Sequence, residues 1–507
     1  MRNFHIFIYA ILLLLASCTP RPEGNVSMSS NRPDIYPDYT DVTIPVNIAP
    51  LNFMLRDKPD AVECIARCGD VEIRVNTSGC KVIFSENQWH KLLKAAAGKE
   101  IDVTLSALYN HHSGNASWTQ WNFKWQVVAD PIDSYLTYRL IEPDYEVWNN
   151  LQIQQRCIEN FEEHNICDYH LVDNRCMNCH TFGNQDPGLS MMYVRGKGGG
   201  AILNQNGNLR KLDIKTDDMA SGSVYFGFSP SGRYVVFSTN VIIPAFHSQP
   251  RNRLEVFDSK SDVYVADLQE NRIISSPLLC DTTVLETFPT FSPDGNSIYY
   301  CAAPRSGLAK NLKDLQYSLV RINFNEATGQ LGTHVDTLLN AFSGQTPNGS
   351  TTAVATIDSL PKRSVCHPRV SPDGRYILYT VAYYGTFPIW HREADLQMMD
   401  LQTGNINTLA VVNSDKSDTY HAWSSNSRWF VFASKRDDGL YGKPYFCYVD
   451  RQGRACKPFV LPQKDPEKYE NTLKSFNVPE FSRGPVPFTA VDVADAMKLE
   501  SEPFRKQ

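Results

Sequence analysis

The chain has 507 residues, enough for two or three domains, with 42% apolar and 21% charged residues and a net charge of −6. This is the composition of an ordinary soluble globular protein. No basic stripe accompanies the aromatic residues, so nothing in it points to a nucleic acid partner. The chain begins with Arg2 and an apolar run from Ile6 to Leu15, followed by Leu15-Ala16-Ser17-Cys18. The run is too short to span a membrane and reads as a signal peptide over residues 1–17.

Leu15, Ala16, Ser17 and Cys18 resemble a bacterial lipobox. The resemblance implies that Cys18 becomes the lipidated first residue of the mature protein. It also implies a place in the cell envelope, anchored to a membrane and facing the periplasm or the cell exterior. An ordinary cleavage site beside a stray cysteine is the alternative. Residues 18–40 are rich in Pro, Ser, Asn and Asp and are expected to form a flexible lipidated tether.

Residues 41–130 carry strand patterns. Val42, Ile44, Val46 and Ile48 alternate, as do Val71, Ile73 and Val75, then Ile101, Val103 and Leu105; Trp118 to Val128 gives another strand. Pro45 places the first of these at a sheet edge. Ser85 with Gln88 predicts a capping box that starts a helix, and Gly98 ends it. His111-His112-Ser113-Gly114-Asn115 has the composition of a turn, its histidines solvated rather than metal-binding. The pattern resembles an immunoglobulin-like β-sandwich.

Residues 131–200 read as a short helical connector, with Trp148, Leu151, Ile153, Cys157 and Phe161 at helical spacing between Tyr145 and Phe161. Within it Cys176, Cys179 and His180 spell Cys-x-x-Cys-His, which chance supplies roughly 0.008 times in a chain of this composition. The three residues resemble the haem attachment site of c-type cytochromes. The resemblance implies thioether bonds from Cys176 and Cys179 and His180 as proximal iron ligand, with Met191 or Met192 close enough in sequence to supply the sixth. Two alternatives stay open: a disulfide or redox pair with a bystander histidine, and a zinc site joined by Cys157, Cys167 or His170. Haem c is attached outside the cytoplasm, so the lipobox and this motif support each other. Gly196 to Gly200 reads as a hinge into the next domain.

From residue 201 a repeat appears. Its copies are Phe228-Ser-Pro-Ser-Gly-Arg-Tyr, Phe291-Ser-Pro-Asp-Gly-Asn-Ser and Val370-Ser-Pro-Asp-Gly-Arg-Tyr, with a degenerate Trp423-Ser-Ser-Asn-Ser-Arg-Trp. Each is a strand, a tight turn and a second strand of alternating large residues. The copies resemble TolB-type β-propeller repeats and imply a C-terminal propeller of five or six blades over residues 201–480. Lys443 to Phe459 is expected to add a fifth blade, 241–258 and 341–365 are expected to be long loops, and 481–507 a tail. His367 and His421 precede the turns of their blades, on strands that face a channel in such propellers; ordinary packing or channel lining is the expectation for both. Cys447 and Cys456 flank Asp450-Arg451-Gln452-Gly453, and a disulfide across that hairpin is predicted.

The sequence therefore describes a mainly β envelope lipoprotein. With no Gly-x-Ser-x-Gly elbow and too little chain after residue 480 for a hydrolase domain, it reads as an electron carrier or binding protein rather than a hydrolase. The leading expectation is electron transfer or redox sensing through one covalent haem c. The alternative is a non-catalytic binding or scaffold lipoprotein whose propeller docks an envelope protein or glycan and whose Cys-x-x-Cys is structural.

Overall fold

A computed structural model describes residues 20–506 except 23–25, 111–115, 144–149, 250–251, 306–311, 342–352 and 357–363. Cys18, the signal peptide, the His111–Asn115 turn and most of the 341–365 loop lie outside the described residues. No helix among the described residues is long and apolar enough to cross a membrane. The chain divides into two units, Met1–Pro131 with Pro462–Thr472, and Ile132–Leu461 with Leu473–Gln507.

The first unit holds two sheets and a helix. The larger sheet has Ala61–Cys68, Val71–Ser78, Glu100–Tyr109 and Ser117–Val128 in antiparallel pairs; Val26–Met28 and Thr43–Pro45 join the last of these in parallel. Thr43–Pro45 has no second partner among the described strands, so Pro45 does sit at an edge. A smaller sheet joins Ile35–Tyr36, Phe53–Leu55 and Lys81–Val82. The stretch expected to be a tether thus enters both sheets, and Tyr39 within it is fully buried. Its apolar Val26, Ile35, Tyr36 and Tyr39 outweigh the polar composition around them. The helix Glu86–Ala96 buries Trp89, Leu92 and Leu93, but Ser85 at its N-cap makes no side-chain capping bond. Fixing it instead are Trp89, whose ring lies 5.4 Å from that of Trp125, and the Trp89 Nε1 bond to the Ile48 carbonyl at 2.9 Å.

The second unit is a ring of sheets. Blade one comprises Met177–Phe182, Leu189–Val194, Gly200–Gln205 and Asn208–Asp213; blade two, Ser223–Phe228, Tyr234–Gln249, Asn252–Asp267 and Arg272–Ile274. Blade three comprises Val284–Phe291, Ser297–Pro304, Ser318–Asn325 and Gln330–Asn340; blade four, Ser364–Val370, Tyr376–Ala382, Asp395–Asp400 and Ile406–Asn407. Blade five is Asp418–Trp423, Trp429–Ser434, Lys443–Tyr448 and Phe459–Val460. Blade six has Ser475–Ser482 innermost, then Tyr135–Ile141, Leu151–Cys157 and Glu163–Asp168. The innermost strands touch in cyclic order, and blade six touches blade one. Among the described residues the fold is therefore a six-bladed β-propeller, closed where a C-terminal strand completes a blade begun at the start of the unit.

Several expectations change. The connector is not helical: Leu151–Cys157 is a strand. Leu151, Ile153 and Gln155 are the alternating buried positions of that strand; Tyr145 and Trp148 lie outside the described residues, and Phe161 lies in the bend after the strand. The propeller starts before residue 201, because blades six and one use 135–213. Lys443–Phe459 completes the blade of the degenerate repeat rather than making another. The expected loop 241–258 is mostly the extension of blade two's middle hairpin, paired out to Gln249 and Asn252. The expected tail carries a helix, Ala490–Ala496, and two short strands that add to blades one and two.

Local chemistry explains the repeats. In the three proline-containing turns the serine hydroxyl accepts the backbone N–H five residues on, at 3.1 Å for Ser229, 2.9 Å for Ser292 and 2.9 Å for Ser371. The glycine takes a left-handed conformation, φ +72° at Gly374; the degenerate copy puts Ser427 there at φ +60°, where a side chain is disfavoured. Apolar faces of neighbouring blades interlock. One cluster joins Tyr234, Val263, Ile298 and Tyr300 between blades two and three, and another joins Leu151, Cys176, Met192 and Phe488 between blades six and one.

The predicted disulfide is absent: Cys447 and Cys456 are free. The hairpin forms, with Val449 opposite Ala455, but that register sets Cys456 opposite Tyr448. Strand alternation then turns Cys447 to the other face, where its thiol donates to the Cys456 carbonyl at 3.3 Å.

Candidate functional site: an axial chamber

Every innermost strand carries the same irregularity. Two of its residues face one on the next strand, at Cys179–His180, Tyr225–Phe226, Phe288–Pro289, His367–Pro368, Tyr420–His421 and Val478–Pro479. The first residue of the pair has positive φ in blades two to six: Tyr225 55°, Phe288 52°, His367 52°, Tyr420 49° and Val478 50°. None is a glycine, and such conformations cost about 1–3 kcal/mol each. In blades two to five these first residues bring their rings against one another. The His367 ring lies 3.9 Å from Phe288, 4.9 Å from Tyr420 and 6.0 Å from Tyr225, so residues of four blades meet at one level.

At this level opens a cavity of about 290 Å³, near the lower end of the ~300–1,000 Å³ usual for ligand sites. Its walls are largely apolar: Ile141, Phe226, Ile242, Leu254, Trp390 and Val478 are representative. Ile242 and Leu254 come from the extended hairpin of blade two. That hairpin is tied down by Asn240, which donates to Asp258 at 2.9 Å, and by the Glu255–Tyr384 hydrogen bond. Among the described residues four cationic side chains line the chamber, Arg139, Arg195, Arg369 and Lys435, against the single carboxylate of Glu142. Lys435 is 3% exposed and lies 3.5 Å from the centre of the Trp390 ring. Arg369 approaches Glu480 at 3.6 Å, and burial pushes that carboxyl up to about 7.

Cys176 and His180 both line this chamber. His180 is 4% exposed, and its Nε2 has no hydrogen-bond partner among the described residues. Burial, then the nearby Arg139 charge, push its imidazole down to about 4, so it is neutral at ordinary pH. The motif does not lie on one turn, as cytochrome-like attachment implied; Cys176 immediately precedes the innermost strand of blade one, and Cys179 and His180 lie on it. The Cys179 side chain is outside the described residues. Met191 and Met192 sit on the next strand, where alternation sends them into different inter-blade clusters, Met191 with Leu203 and Phe226 and Met192 with Cys176 and Val194. Neither lines the chamber, against the expectation of a methionine iron ligand. Among the described residues no group of three His, Cys, Asp or Glu side chains is assembled for a metal, so Cys157, Cys167 and His170 form no zinc cluster.

His421 packs as expected: its Nε2 bonds the Leu378 carbonyl at 2.9 Å. His367 lines the chamber, which the expectation also allowed, and its Nδ1 has no partner among the described residues. Arg139, Arg369, Lys435 and Trp390 were not singled out by the sequence. One signal was available: Tyr225, Phe288, His367 and Tyr420 each stand four positions before the repeat serine, an aromatic or imidazole ring every time.

Fold and site together define a class, a six-bladed propeller with a cationic, apolar axial chamber. No protein-family model matches the sequence, and neither does any curated protein. Solved structures share the chain trace distantly. A hypothetical selenium-binding protein from Sulfolobus tokodaii aligns over 89% of this chain and 96% of its own, at 9% identity and TM-score 0.41. The periplasmic gluconolactonase of Pseudomonas aeruginosa aligns over 65% and 96%, at 14% identity and TM-score 0.33. A puromycin hydrolase aligns over 65% of this chain at 11% identity and TM-score 0.36; this chain spans 45% of that protein's length.

Proposed function

We propose that this protein is an envelope lipoprotein whose propeller is a binding module, with the axial chamber as its site and a covalently attached haem c as the occupant. The observation that supports the occupant is that Cys176 and His180 both line the chamber, with the His180 Nε2 buried and unpartnered among the described residues. A c-type haem needs a thiol and a neutral imidazole side by side, an apolar slot for its ring and cations for its carboxylates. In this reading Cys176 and Cys179 anchor the group and His180 is the proximal ligand. Arg139, Arg369 and Lys435 receive the carboxylates, and the blade-two hairpin keeps water from the chamber. Bound there, haem supplies a one-electron couple suited to electron transfer or redox sensing.

A second reading is favoured by one observation. His180 occupies the same bulge position in blade one as His421 in blade five, and His421 is a packing residue. On that reading the Cys-x-x-Cys is structural and the chamber takes a soluble, largely apolar anion. The optical spectrum of the protein, exported from a host that attaches haem c to a control cytochrome, separates the two. A red protein that keeps its colour through acid–organic denaturation supports the haem; a colourless one removes it and leaves the binding module.

A further inference from the structure

We propose that His367 is the second axial ligand of a haem held in the chamber. This rests on the haem reading of Cys176, Cys179 and His180. Among the described residues lining the chamber, Cys176, His180 and His367 are the sulfur and imidazole donors, and no methionine is present.

Position follows from the ring. His180 belongs to blade one and His367 to blade four, so three steps in a ring of six put them on opposite walls. Both stand at the bulge of their innermost strand, His180 second and His367 first of the pair, and both line the chamber. A group held by His180 would therefore face His367 across the chamber. His367 is also built to stay there. Phe288, Tyr420 and Tyr225 surround its ring at 3.9, 4.9 and 6.0 Å, and the backbone is held at φ 52°. A buried imidazole nitrogen without a hydrogen bond costs about 1–3 kcal/mol, a cost that an occupant of the chamber can offset. Nδ1 of His367 is such an atom.

The test uses the full-length chain exported with haem c maturation. Haem staining of the denatured protein comes first: unstained protein overturns the parent reading and this one with it, before any ligand question arises. With haem attached, the ferric wild type is expected to be six-coordinate and low-spin with two nitrogen ligands. His367→Gly, which also suits the positive φ, is expected to convert most of the haem to a high-spin form. Added imidazole is expected to restore the low-spin spectrum. If that variant does not accumulate, His367→Met serves, and a methionine–iron charge-transfer band is expected to appear. A low-spin spectrum that survives His367→Gly, or that His367→Met leaves unchanged, overturns the assignment while leaving the haem in place. So does a wild-type methionine band that disappears in Met191→Leu or Met192→Leu.

Discussion

Glu286 offers a quantitative check on the propeller interior. It lies on the innermost strand of blade three, fully buried, with Oε2 unpartnered and Oε1 accepting the Asp281 N–H at 3.3 Å. Burial, reinforced by the nearby Asp262 and Asp281 charges, raises its carboxyl from 4.5 to about 9. The folded state therefore holds this proton more tightly than the unfolded state does. The associated stability is fully present below about pH 4.5 and is lost as pH rises towards 9. Between about pH 5 and about pH 8 the loss is about 4 kcal/mol, at about 1.4 kcal/mol per unit. Glu286→Gln keeps the shape and removes the titration. The assay is denaturant unfolding of both proteins at the two pH values, compared as a difference of differences so that any fixed cost of the amide cancels. The wild type is expected to lose about 4 kcal/mol more than the variant on going to the higher pH. Equal pH dependence in the two proteins would falsify the claim that Glu286 is folded as a neutral acid.

Cys18→Ala is expected to release the protein from membranes or to block its maturation, read by fractionation and by incorporation of labelled palmitate; palmitate absent from the wild type refutes the anchor. Cys447 and Cys456 are expected to be alkylated in the unfolded, unreduced protein, and a mass spectrum showing them bridged refutes the register described for their hairpin. Phe481, fully buried on the closing strand with its ring 5.9 Å from Phe446, is expected to cost about 3–5 kcal/mol when changed to Ala, measured by urea unfolding. A cost under about 1 kcal/mol would mean that this strand does not close the ring.

Legibility followed the locality of the signal. The Ser-Pro-Asp-Gly turns were readable because everything that shapes them lies within six residues: a serine acceptor, a proline, and a glycine for the left-handed position. Blade six was not, because its innermost strand and its other three come from opposite ends of the unit. Nothing in Tyr135–Asp168 announces a missing partner at Ser475–Ser482. Leu151 and Ile153 showed the period of a strand, but the windows on either side blurred it into a helix. The disulfide failed by one position of register, which turn composition does not determine. Of the site, Cys176 and His180 were readable as a motif. The cations and aromatics opposite them come from separate blades and converge only when the ring closes.

Closure by the last strand has a consequence in time. Gln155 donates to Ser482 across 327 positions, so the first blade to leave the ribosome is the last to be completed. Until residue 482 arrives, the strand Tyr135–Ile141 presents an open edge, and open edges recruit foreign strands. Contacts this distant in sequence also make for slow folding. Were the chain exported, as proposed above, that ordering would be compatible with delivery. A chain that cannot finish its ring early stays unfolded enough to be threaded across a membrane, and becomes resistant to unfolding only once its far end has followed.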